Sequence, residues 1–564
     1  MPQPLSNQRN GHWLFAAILL AAFATLPLWT NGSSCGHDIA FHTESWLNAA
    51  SHFRHGDFFP AWNDAAAWHA GEPRFLFYPP LSWTLGALLT LVLPFGIVPA
   101  TYTTLVLCAA AASMYALARR FAPTHIACFA AVLYAANPYM LFTAWERTAF
   151  AELLAAAWMP LLLLAAWQER PRAWSLAWPL ALLWLTNAPA GVIGTYALVL
   201  LALLRLWRER DAVRATLISF SAGLLGGLAL AACYLLPAAY ERRFVSIDMA
   251  VIPGLSVASN TLFAHDGDAA HDFVNAQVSR IAIALLIAAA IALLAALRSP
   301  KLALPKRIQR STLAITLLIA FLLTPWSLFV WRHLPELAFL QFSWRLLALL
   351  APVVALLCAA AVKLPQRWSL PLAAVVACAL SFSLAPQYLQ GCPIHERPQD
   401  VAELYRSAHG TQPTDEYTPL NADNDLLRFD SPGWWLTTDP QAFAPDTLPN
   451  PNANAPDVDF GTPPPEQTLS QSAPDHLELT APTPKTLVLN LRAYPRWLIT
   501  RNGAPAKTIR RNDGLLAVEL PAGRSTIDIR WQTPPTRWLG LGISLLALLL
   551  FAVSSRLRSR RITL

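Results

Sequence analysis

Several ionisable residues stand close together in one polar stretch near the start of the chain. The stretch reads Gly36-His37-Asp38-Ile39-Ala40-Phe41-His42-Thr43-Glu44. If it is helical, Asp38 and His42 are four residues apart and share one face. A carboxylate beside an imidazole suits either proton abstraction from a hydroxyl group or the binding of a divalent cation, Mg²⁺ or Mn²⁺, through Asp38. The pattern fits equally well a solvated loop in which Asp38 caps a short helix.

Two arginines stand at the predicted membrane edge. Arg147 belongs to the stretch Trp145–Glu152 at the end of one apolar run, and Arg345 begins another run. Ionisable residues at membrane depth are costly and are functional candidates by default. An arginine side chain can donate two parallel hydrogen bonds to phosphate oxygens. Both arginines are therefore candidate phosphate ligands, with Glu152 as the partner of Arg147. A purely structural Arg147–Glu152 ion pair and an Arg345 side chain that reaches to lipid headgroups are the alternatives.

The long loop that contains Asp38 is also rich in aromatic residues, prolines and glycines. It continues with Gly56-Asp57-Phe58-Phe59-Pro60-Ala61-Trp62 and later with Phe77-Tyr78-Pro79-Pro80-Leu81. This composition predicts an ordered loop packed on the bilayer surface. In such a loop Tyr78 either contacts a sugar or lipid substrate or serves as a plain interface anchor.

A second cluster of ionisable residues lies further along the chain. His265-Asp266-Gly267-Asp268 is followed closely by His271-Asp272. Carboxylates and imidazoles at this density can bind a cation, but the full spacing of a calcium-binding loop is absent. The pattern therefore favours a solvated turn over a metal site.

The composition identifies the class of protein that must position these residues. Hydrophobic residues make up 55% of the 564 residues and charged residues only 13%, and the mean hydropathy is +0.39. A soluble protein of this length needs more charge to cover its surface, so the chain is predicted to be a polytopic α-helical membrane protein. The formal net charge of +7 serves to orient loops, and without a basic-aromatic motif it does not predict a nucleic-acid partner.

Twelve apolar runs are predicted to cross the membrane. They are Trp13–Trp29, Thr101–Leu117, Thr124–Met140, Leu153–Trp167, Trp174–Leu185, Gly191–Leu204, Ala215–Leu236, Ile281–Leu297, Thr312–Val330, Leu346–Val362, Ser369–Leu384 and Trp538–Val553. By the positive-inside rule, the basic loops place both termini in the cytoplasm and the loops 30–100, 241–280 and 331–345 outside. Leu81–Leu93 is short, and counting it as a crossing would move every later loop to the opposite side of the membrane, against the positive-inside rule. A half-inserted helix is therefore favoured there, and a thirteenth crossing is the alternative.

The composition changes abruptly after Leu384 and predicts a folded domain outside the membrane. Tight turns such as Asn502-Gly503 separate short alternating segments: Leu487–Leu491, Trp497–Thr500, Leu515–Leu520 and Thr526–Trp531. Such strands and turns predict an antiparallel β-sandwich, favoured as a lid or an interaction module. The chain is thus divided into a transmembrane domain at 1–385, an extracytoplasmic β-rich domain at 386–536, and a final helix with a basic cytoplasmic tail at 537–564.

The cysteines add one possible covalent link outside the membrane. Five of the seven cysteines lie inside apolar runs, where a small hydrophobic residue is ordinary. Only Cys35 and Cys392 fall in segments that are placed outside. These two either form a disulfide in an oxidising compartment or remain free thiols.

The motifs resemble those of the bacterial membrane proteins labelled 6-pyruvoyl-tetrahydropterin synthase-related. The residues that carry the resemblance are His37-Asp38, His42, Gly56, Pro60, Trp62, Gly71, Pro73, Phe77-Tyr78-Pro79-Pro80-Leu81, Arg147, Glu152 and Gln341-Phe342-Ser343-Trp344-Arg345. The match spans most of the membrane part, and the last strands and final helix are similar to YfhO-type membrane proteins. The sequence contains no recognisable soluble pterin-synthase domain or zinc-binding histidine triad, so the pterin label implies no activity here.

The layout also resembles the GT-C superfamily of glycosyltransferases. Those enzymes have a first helix, a long outer loop with an acidic residue near its start, and many further helices. The resemblance implies that Asp38 is the catalytic or metal-organising acid, and that the donor is a sugar on polyprenyl phosphate. Two features depart from the pattern: the common acidic pair is incomplete, and Ser343 stands where a proline is expected.

The leading hypothesis is sugar transfer to an envelope glycan or lipid acceptor on the outer face of a bacterial inner membrane. Asp38 activates the acceptor or holds a metal ion, and His37 and His42 assist positioning. Arg147 and Arg345 neutralise the phosphate leaving group, where charge develops. One alternative is a transporter or flippase of a lipid-linked or anionic substrate, which the scarcity of mid-helix charges and the lack of repeats disfavour. The other is a non-catalytic scaffold that binds envelope partners through its β-domain.

Overall fold

The computed structural model describes residues 11–252, 254–298, 304–362, 364–393, 397–406, 410–420, 422–445, 447–449 and 471–562. Within these ranges the chain forms a helical bundle followed by a β-rich domain and a last long helix. The α-helices are α1 Gly11–Phe23, α2 Leu26–Thr30, α3 Ile39–Arg54, α4 Arg74–Phe77, α5 Pro80–Val92, α6 Val98–Ala118, α7 Thr124–Ala135, α8 Pro138–Trp145, α9 Phe150–Ala156, α10 Met159–Ala166, α11 Ala173–Thr186, α12 Ala188–Arg208, α13 Val213–Leu230, α14 Ala232–Glu241, α15 Ala269–Arg298, α16 Lys306–Leu322, α17 Leu328–His333, α18 Leu347–Ala361, α19 Gln366–Tyr388, α20 Pro398–Arg406 and α21 Pro535–Ile562.

The helices confirm a polytopic membrane protein. In the described ranges, eight helical stretches are long and apolar enough to cross a membrane, and a bent pair makes a ninth if it is one span. The eight are Phe95–Ala118, Thr124–Trp145, Ala188–Arg208, Val213–Leu230, Ala269–Ala296, Ser343–Ala361, Gln366–Tyr388 and Pro535–Val553. The shorter apolar helices are Gly11–Phe23, Pro80–Val92, Phe150–Ala166 and Ala173–Thr186. Each of the twelve predicted runs therefore contains a helix, although not every run is a continuous span.

Prolines explain two of the interruptions in the predicted runs. Thr312–Val330, predicted as one crossing, is instead a pair of helices bent by 94° at the break before Pro325. The predicted run Trp13–Trp29 is divided between α1 and α2, and Pro27 lies in the first turn of α2. Proline lacks the backbone N–H that a continuous helix requires and favours the first turn of a new helix. The run Leu81–Leu93 forms the 13-residue α5, whose length of about 20 Å is short for a crossing; its half-inserted position remains a prediction.

Helix burial separates the centre of the bundle from its surface. In α8 the side chains of Tyr139, Phe142 and Trp145 are no more than 1% exposed, whereas in α21 Leu545 and Leu549 are more than half exposed. Exposed leucines on a membrane-spanning helix face lipid tails without cost. The central position of α8 matters for the candidate site, because the loop that follows it carries Arg147.

The β-rich domain is built mainly from two four-stranded antiparallel sheets, as predicted. Its strands are β1 Arg428–Phe429, β2 Trp434–Thr437, β3 Leu448–Pro449, β4 His476–Ala481, β5 Lys485–Arg492, β6 Trp497–Arg501, β7 Ala504–Pro505, β8 Thr508–Arg510, β9 Leu515–Leu520 and β10 Gly523–Trp531. The sheets have the orders β4-β10-β6-β7 and β2-β5-β9-β8, and β1 pairs with β3. Leu487 and Ile527, one from each sheet, are fully buried in one hydrophobic core. Asn502 and Gly503 both have positive φ at the β6–β7 hairpin, as a tight two-residue turn requires.

A buried arginine ties the first loop to the segment that leads into this domain. Arg74 is 2% exposed, and its guanidinium lies 2.8 Å from Glu44 Oε2 and 2.7 Å from Glu72 Oε1. Its Nη2 also donates to Thr414 Oγ1 at 3.2 Å. A buried charge is tolerated when it is paired and hydrogen-bonded. The first loop and the β-rich domain therefore lie at the same end of the bundle, which we call the loop face.

Candidate active site

Main-chain hydrogen bonds place Asp38 beside Arg147. The backbone N–H of Asp38 donates to Arg147 O at 2.9 Å, and that of His37 donates to Glu146 O at 3.4 Å. This close approach depends on Gly36, because a Cβ at that position would lie 2.2 Å from Glu146 O. Two loops that are more than 100 residues apart in sequence are thus joined through their backbones at the loop face.

A disulfide fastens the same loop to the end of α19. Cys35 and Cys392 are bonded, with their Cα atoms 4.8 Å apart and a sequence separation of 357. Ser34 lies alongside, donating to Trp145 O at 2.6 Å and accepting from the N–H of Gln390 at 2.8 Å. Of the two alternatives that the sequence left open, the structure thus has the bonded pair. The loop is fixed three residues before Asp38.

Removal of this disulfide should destabilise the protein. Replacing both Cys35 and Cys392 by Ser removes a link across a very long loop, and such links typically contribute about 2–4 kcal/mol. We expect a lower midpoint of thermal unfolding in detergent, with no further decrease when a reductant is added. Cys233→Ser, at one of the free cysteines, is the matched control and should unfold like the wild type. Equal midpoints for the double variant and the wild type contradict the expectation.

Four charged side chains form the centre of the site. Arg147 Nη2 lies 3.5 Å from Asp38 Oδ2, and Arg147 Nη1 lies 2.6 Å from Glu152 Oε2. Arg345 Nε lies 3.2 Å from the same Glu152 oxygen. The structure therefore brings together the candidates from three distant parts of the sequence. The Asp38 side chain is 39% exposed, whereas that of Glu152 is only 6% exposed.

Glu152 is occupied on both carboxylate oxygens. Oε2 accepts from both arginines, Arg147 and Arg345, and Oε1 accepts a hydrogen bond from the hydroxyl of Tyr139. The two buried guanidinium groups are held together because this carboxylate neutralises them. The predicted Arg147–Glu152 ion pair is thus present, and it extends to Arg345.

The segment before α18 orients Arg345. Arg345 Nη1 donates to Leu340 O at 2.8 Å and to Gln341 Oε1 at 2.9 Å. Gln341 has a positive φ of 61°, and its amide donates to Ala250 O at 2.7 Å. Ser343 donates to Asn260 O at 2.6 Å. The side chain of Arg345 is therefore directed inward to Glu152 rather than outward to lipid headgroups.

Aromatic rings cover the arginines. Phe342 and Trp344 are stacked, with ring centroids 4.7 Å apart. The Arg147 guanidinium carbon lies 4.8 Å from the Trp344 ring centroid, and that of Arg345 lies 4.7 Å from the Phe342 centroid. Cation–π contacts of this kind strengthen where water is excluded. The rings therefore help to hold both guanidinium groups in place without a further carboxylate beside them.

The Asp38–His42 spacing produces the expected shared helical face. Asp38 occupies the N-cap position of α3, and its carbonyl accepts the N–H of His42 at 3.1 Å. Its carboxylate makes no capping hydrogen bond and is paired with Arg147 instead. His42 is only 2% exposed, and its ring lies against those of Tyr78 and Phe150 at centroid distances of 5.8 and 5.4 Å. The carboxylate, not the imidazole, is the accessible group of the pair.

The buried imidazole should make stability depend on pH. Burial lowers the pKa of His42 from 6.5 to about 4, although the Asp38 carboxylate acts to raise it. Only the unfolded chain binds the proton between these values, so stability is full above pH 6.5. It should fall by roughly 1.4 kcal/mol for each pH unit below that value, down to about pH 4. Thermal unfolding from pH 7 to pH 5 measures this loss. His42→Gln should reduce this loss of stability, whereas His55→Gln should not. The same pH dependence in the wild type and both variants contradicts the assignment of the loss to His42.

The remaining predicted substrate-binding residues lie at the edge of the site. Tyr78 packs on Phe41 at a centroid distance of 5.0 Å, and the pKa of its hydroxyl is raised by burial first and then by the Asp38 carboxylate. The His37 side chain is 52% exposed, with Nε2 3.9 Å from Glu146 Oε1. Burial lowers the pKa of His37, an effect that Asp38 partly offsets. Both residues are therefore close enough to Asp38 for its carboxylate to affect their pKa values.

The ligands for a resident divalent cation at Asp38 are incomplete. Among the described residues, one group has three potential metal ligands with their ligand atoms within 4.8 Å of one another, and it consists of Asp266, His271 and Asp272. Within the described ranges Asp38 has no such companions, and its carboxylate is paired with an arginine. Mg²⁺ and Mn²⁺ prefer several oxygen ligands, so the residues at Asp38 do not fit the predicted ion. In the other cluster, His271 Nδ1 lies 3.1 Å from Asp266 Oδ2.

Two contributors to the site escape sequence reasoning. Tyr139 lies within an apolar helix and carries no charge, yet it binds Glu152. Gln390 lies beyond the end of α19, and its amide donates to Glu146 Oε2 at 2.6 Å. The local sequence gives no sign of either contact, apart from a polar group near the end of an apolar run.

The site can be compared with known proteins. No protein-family model and no curated protein matches the sequence. Among solved structures, the arabinofuranosyltransferase AftD from Mycobacteria is 15% identical, covering 94% of this chain and 40% of that chain with a TM-score of 0.44. ArnT from Cupriavidus metallidurans, bound to undecaprenyl phosphate, is 13% identical, covering 71% of this chain and 85% of that chain with a TM-score of 0.29. The chain thus spans about two-fifths of the length of AftD. The resemblance to the pterin-synthase-related and YfhO-type proteins remains a prediction.

Proposed function

We propose that the protein is a membrane glycosyltransferase. It moves a sugar from a polyprenyl-phosphate donor to an envelope glycan or lipid acceptor, on the outer face of a bacterial inner membrane with both termini in the cytoplasm. The observation that carries the proposal is the contact of an accessible carboxylate, Asp38, with Arg147, which shares the buried counter-ion Glu152 with Arg345. Proton abstraction and neutralisation of a phosphate leaving group require these groups side by side.

Asp38 is the general base in this proposal. Its carboxylate is 39% exposed, whereas both oxygens of Glu152 are already occupied by hydrogen bonds. A base must have an oxygen free to reach the proton that it removes. The acceptor hydroxyl oxygen attacks the anomeric carbon of the donor sugar and transfers its proton to Asp38. The bond from that carbon to the phosphate oxygen breaks, and polyprenyl phosphate leaves.

The two arginines receive the charge of the leaving group. Arg147 Nε and Arg345 Nη2 have no hydrogen-bond partner among the described residues, and the two side chains are 5% and 11% exposed. These N–H groups are donors available to phosphate oxygens, and arginine presents them in a fixed plane. Because Glu152 and the aromatic rings already fix both guanidinium groups, little reorganisation is needed as the negative charge develops.

The neighbouring residues position the reactants. His37 and Tyr78 lie close to Asp38 and are suited to contact the sugar, while His42 is enclosed and neutral near pH 7 because burial lowers its pKa to about 4. His42 therefore supports the loop rather than exchanging protons. The β-rich domain, which lies at the same face, is suited to cover the site or to hold the acceptor.

The proposal is tested by a transfer assay on the purified full chain in lipid vesicles. A polyprenyl-phosphate sugar, labelled in the sugar, is supplied with a mixture of envelope glycans and lipids. We expect labelled acceptor and free polyprenyl phosphate to form in equal amounts, and only with the protein present. Movement of intact donor across the vesicle membrane without cleavage contradicts transfer and supports a flippase.

A further inference from the structure

A cavity of about 780 Å³ lies at the loop face, beside the Asp38 loop and apart from its carboxylate. It is bounded by the end of α2, the end of α19 and the start of α20. Its lining includes Asn31, Phe382, Leu389, Gln390, Arg397 and Gln399. A volume of this size is typical of a small-molecule site. None of the four central charged side chains of the proposed active site belongs to its lining.

The polar half of the cavity favours an anion. Arg397 is exposed and has no hydrogen bond or ion pair from its side chain among the described residues. Glu146 is not part of the lining. It is only 3% exposed and already accepts a hydrogen bond from the Gln390 amide. Two further acidic residues are close to Arg397 in sequence: Asp400 lies in the first turn of α20, and Glu396 lies outside the described residues. A guanidinium group with neighbouring amide donors matches the oxygens of a phosphate group.

The apolar half opens toward the lipid. Phe382 is 47% exposed on the surface of the spanning helix α19, and its ring lies 6.2 Å from that of Phe23, which is 40% exposed. Leu389 and Pro386 continue the apolar lining toward the polar residues. On a membrane-spanning helix, exposed aromatic rings near the interface contact acyl chains and headgroups. A ligand can therefore enter sideways from the bilayer.

We propose that this cavity binds the phosphate headgroup of an anionic membrane lipid. The phosphate lies at Arg397 with the amides of Asn31, Gln390 and Gln399 around it, and the acyl chains run along Phe382. A cation that has no partner within the described part of the chain, together with an open apolar wall, selects a lipid over a soluble anion. This inference does not rest on the proposed sugar transfer, because binding at the cavity requires neither Asp38 nor a donor.

Native mass spectrometry of the delipidated full chain in detergent tests the site. Phosphatidylglycerol is titrated against the protein, with diacylglycerol and phosphatidylcholine in parallel. We expect one phosphatidylglycerol to bind more tightly than either other lipid, and Arg397→Gln to weaken it by roughly tenfold. Gly391→Trp should block the cavity, because a Cβ at Gly391 has no atom within 4 Å and the side chain can extend into the open space.

Two matched variants control for charge and bulk. Arg530→Gln removes an exposed arginine of β10, and Gly542→Trp adds a tryptophan at an open position of α21; both should bind phosphatidylglycerol like the wild type. Equal binding by Arg397→Gln and the wild type overturns the proposal. Displacement of the lipid by millimolar inorganic phosphate overturns it as well, since it identifies a free-phosphate site. Tight binding of diacylglycerol is a third contradictory result.

Discussion

Asp38→Asn should abolish sugar transfer and leave the protein folded. The amide has the same size as the carboxylate but cannot accept the proton of the acceptor hydroxyl, and a positioned general base typically contributes about 10²–10⁴-fold to the rate. The fold should tolerate the change because the Asp38 side chain is 39% exposed and makes no helix-capping hydrogen bond. The transfer assay measures the loss, and the thermal unfolding midpoint in detergent verifies folding.

A carboxylate from the same loop provides the control for Asp38. Asp57 is half exposed and pairs with His52 at 3.2 Å, away from the arginines. Asp57→Asn should therefore retain transfer activity. If Asp38→Asn transfers sugar at the wild-type rate, Asp38 is not the base and the assignment fails.

Glu152→Gln should impair both stability and transfer. The substitution removes the negative charge that lies 2.6 Å from Arg147 and 3.2 Å from Arg345, so two buried cations are left facing each other. Breaking a buried ion pair on one side costs about 3–5 kcal/mol. We expect a lower thermal midpoint and at least about a hundredfold loss of kcat/KM, because misplaced arginines no longer neutralise the leaving group.

A double substitution separates charge from misfolding. Adding Arg345→Gln to Glu152→Gln removes the excess positive charge, so the double variant should recover part of the lost stability without recovering activity. Tyr139→Phe removes only the hydrogen bond to Glu152 and should have the smaller effect on both quantities. Wild-type stability and activity in Glu152→Gln contradict the structural role assigned to this carboxylate.

Short-range features of the site could be predicted from the sequence. The i, i+4 spacing of Asp38 and His42 predicts a shared helical face, which the α3 hydrogen bond confirms. Arg147 and Glu152 are five residues apart, close enough for a sequence pattern to suggest their pairing. The antiparallel strands and the Asn502-Gly503 turn follow from alternation and turn chemistry for the same reason. In each case the local backbone geometry determines which side chains lie next to each other.

Long-range features could not be predicted in this way. Arg345 meets Glu152 across 193 residues, and this contact depends on the packing of the bundle, in which α8 and α12 each contact both α9 and α18, rather than on any spacing. Tyr139 contributes through a hydroxyl group inside an apolar helix, where the surrounding residues predict only burial. Helix breaks were also missed, because hydropathy averages over Pro325 while the backbone bends by 94° there. Tertiary packing decides these positions.

The central claim is that a polyprenyl phosphate binds at the arginine pair with Asp38 facing it. The most direct measurement is a cryo-electron microscopy structure of the full chain in a lipid nanodisc with polyprenyl phosphate. We predict phosphate oxygens within hydrogen-bond distance of Arg147 or Arg345, and the Asp38 carboxylate on the side open to an acceptor. A phosphate bound away from both arginines, for example only beside Arg397, contradicts the proposed mechanism.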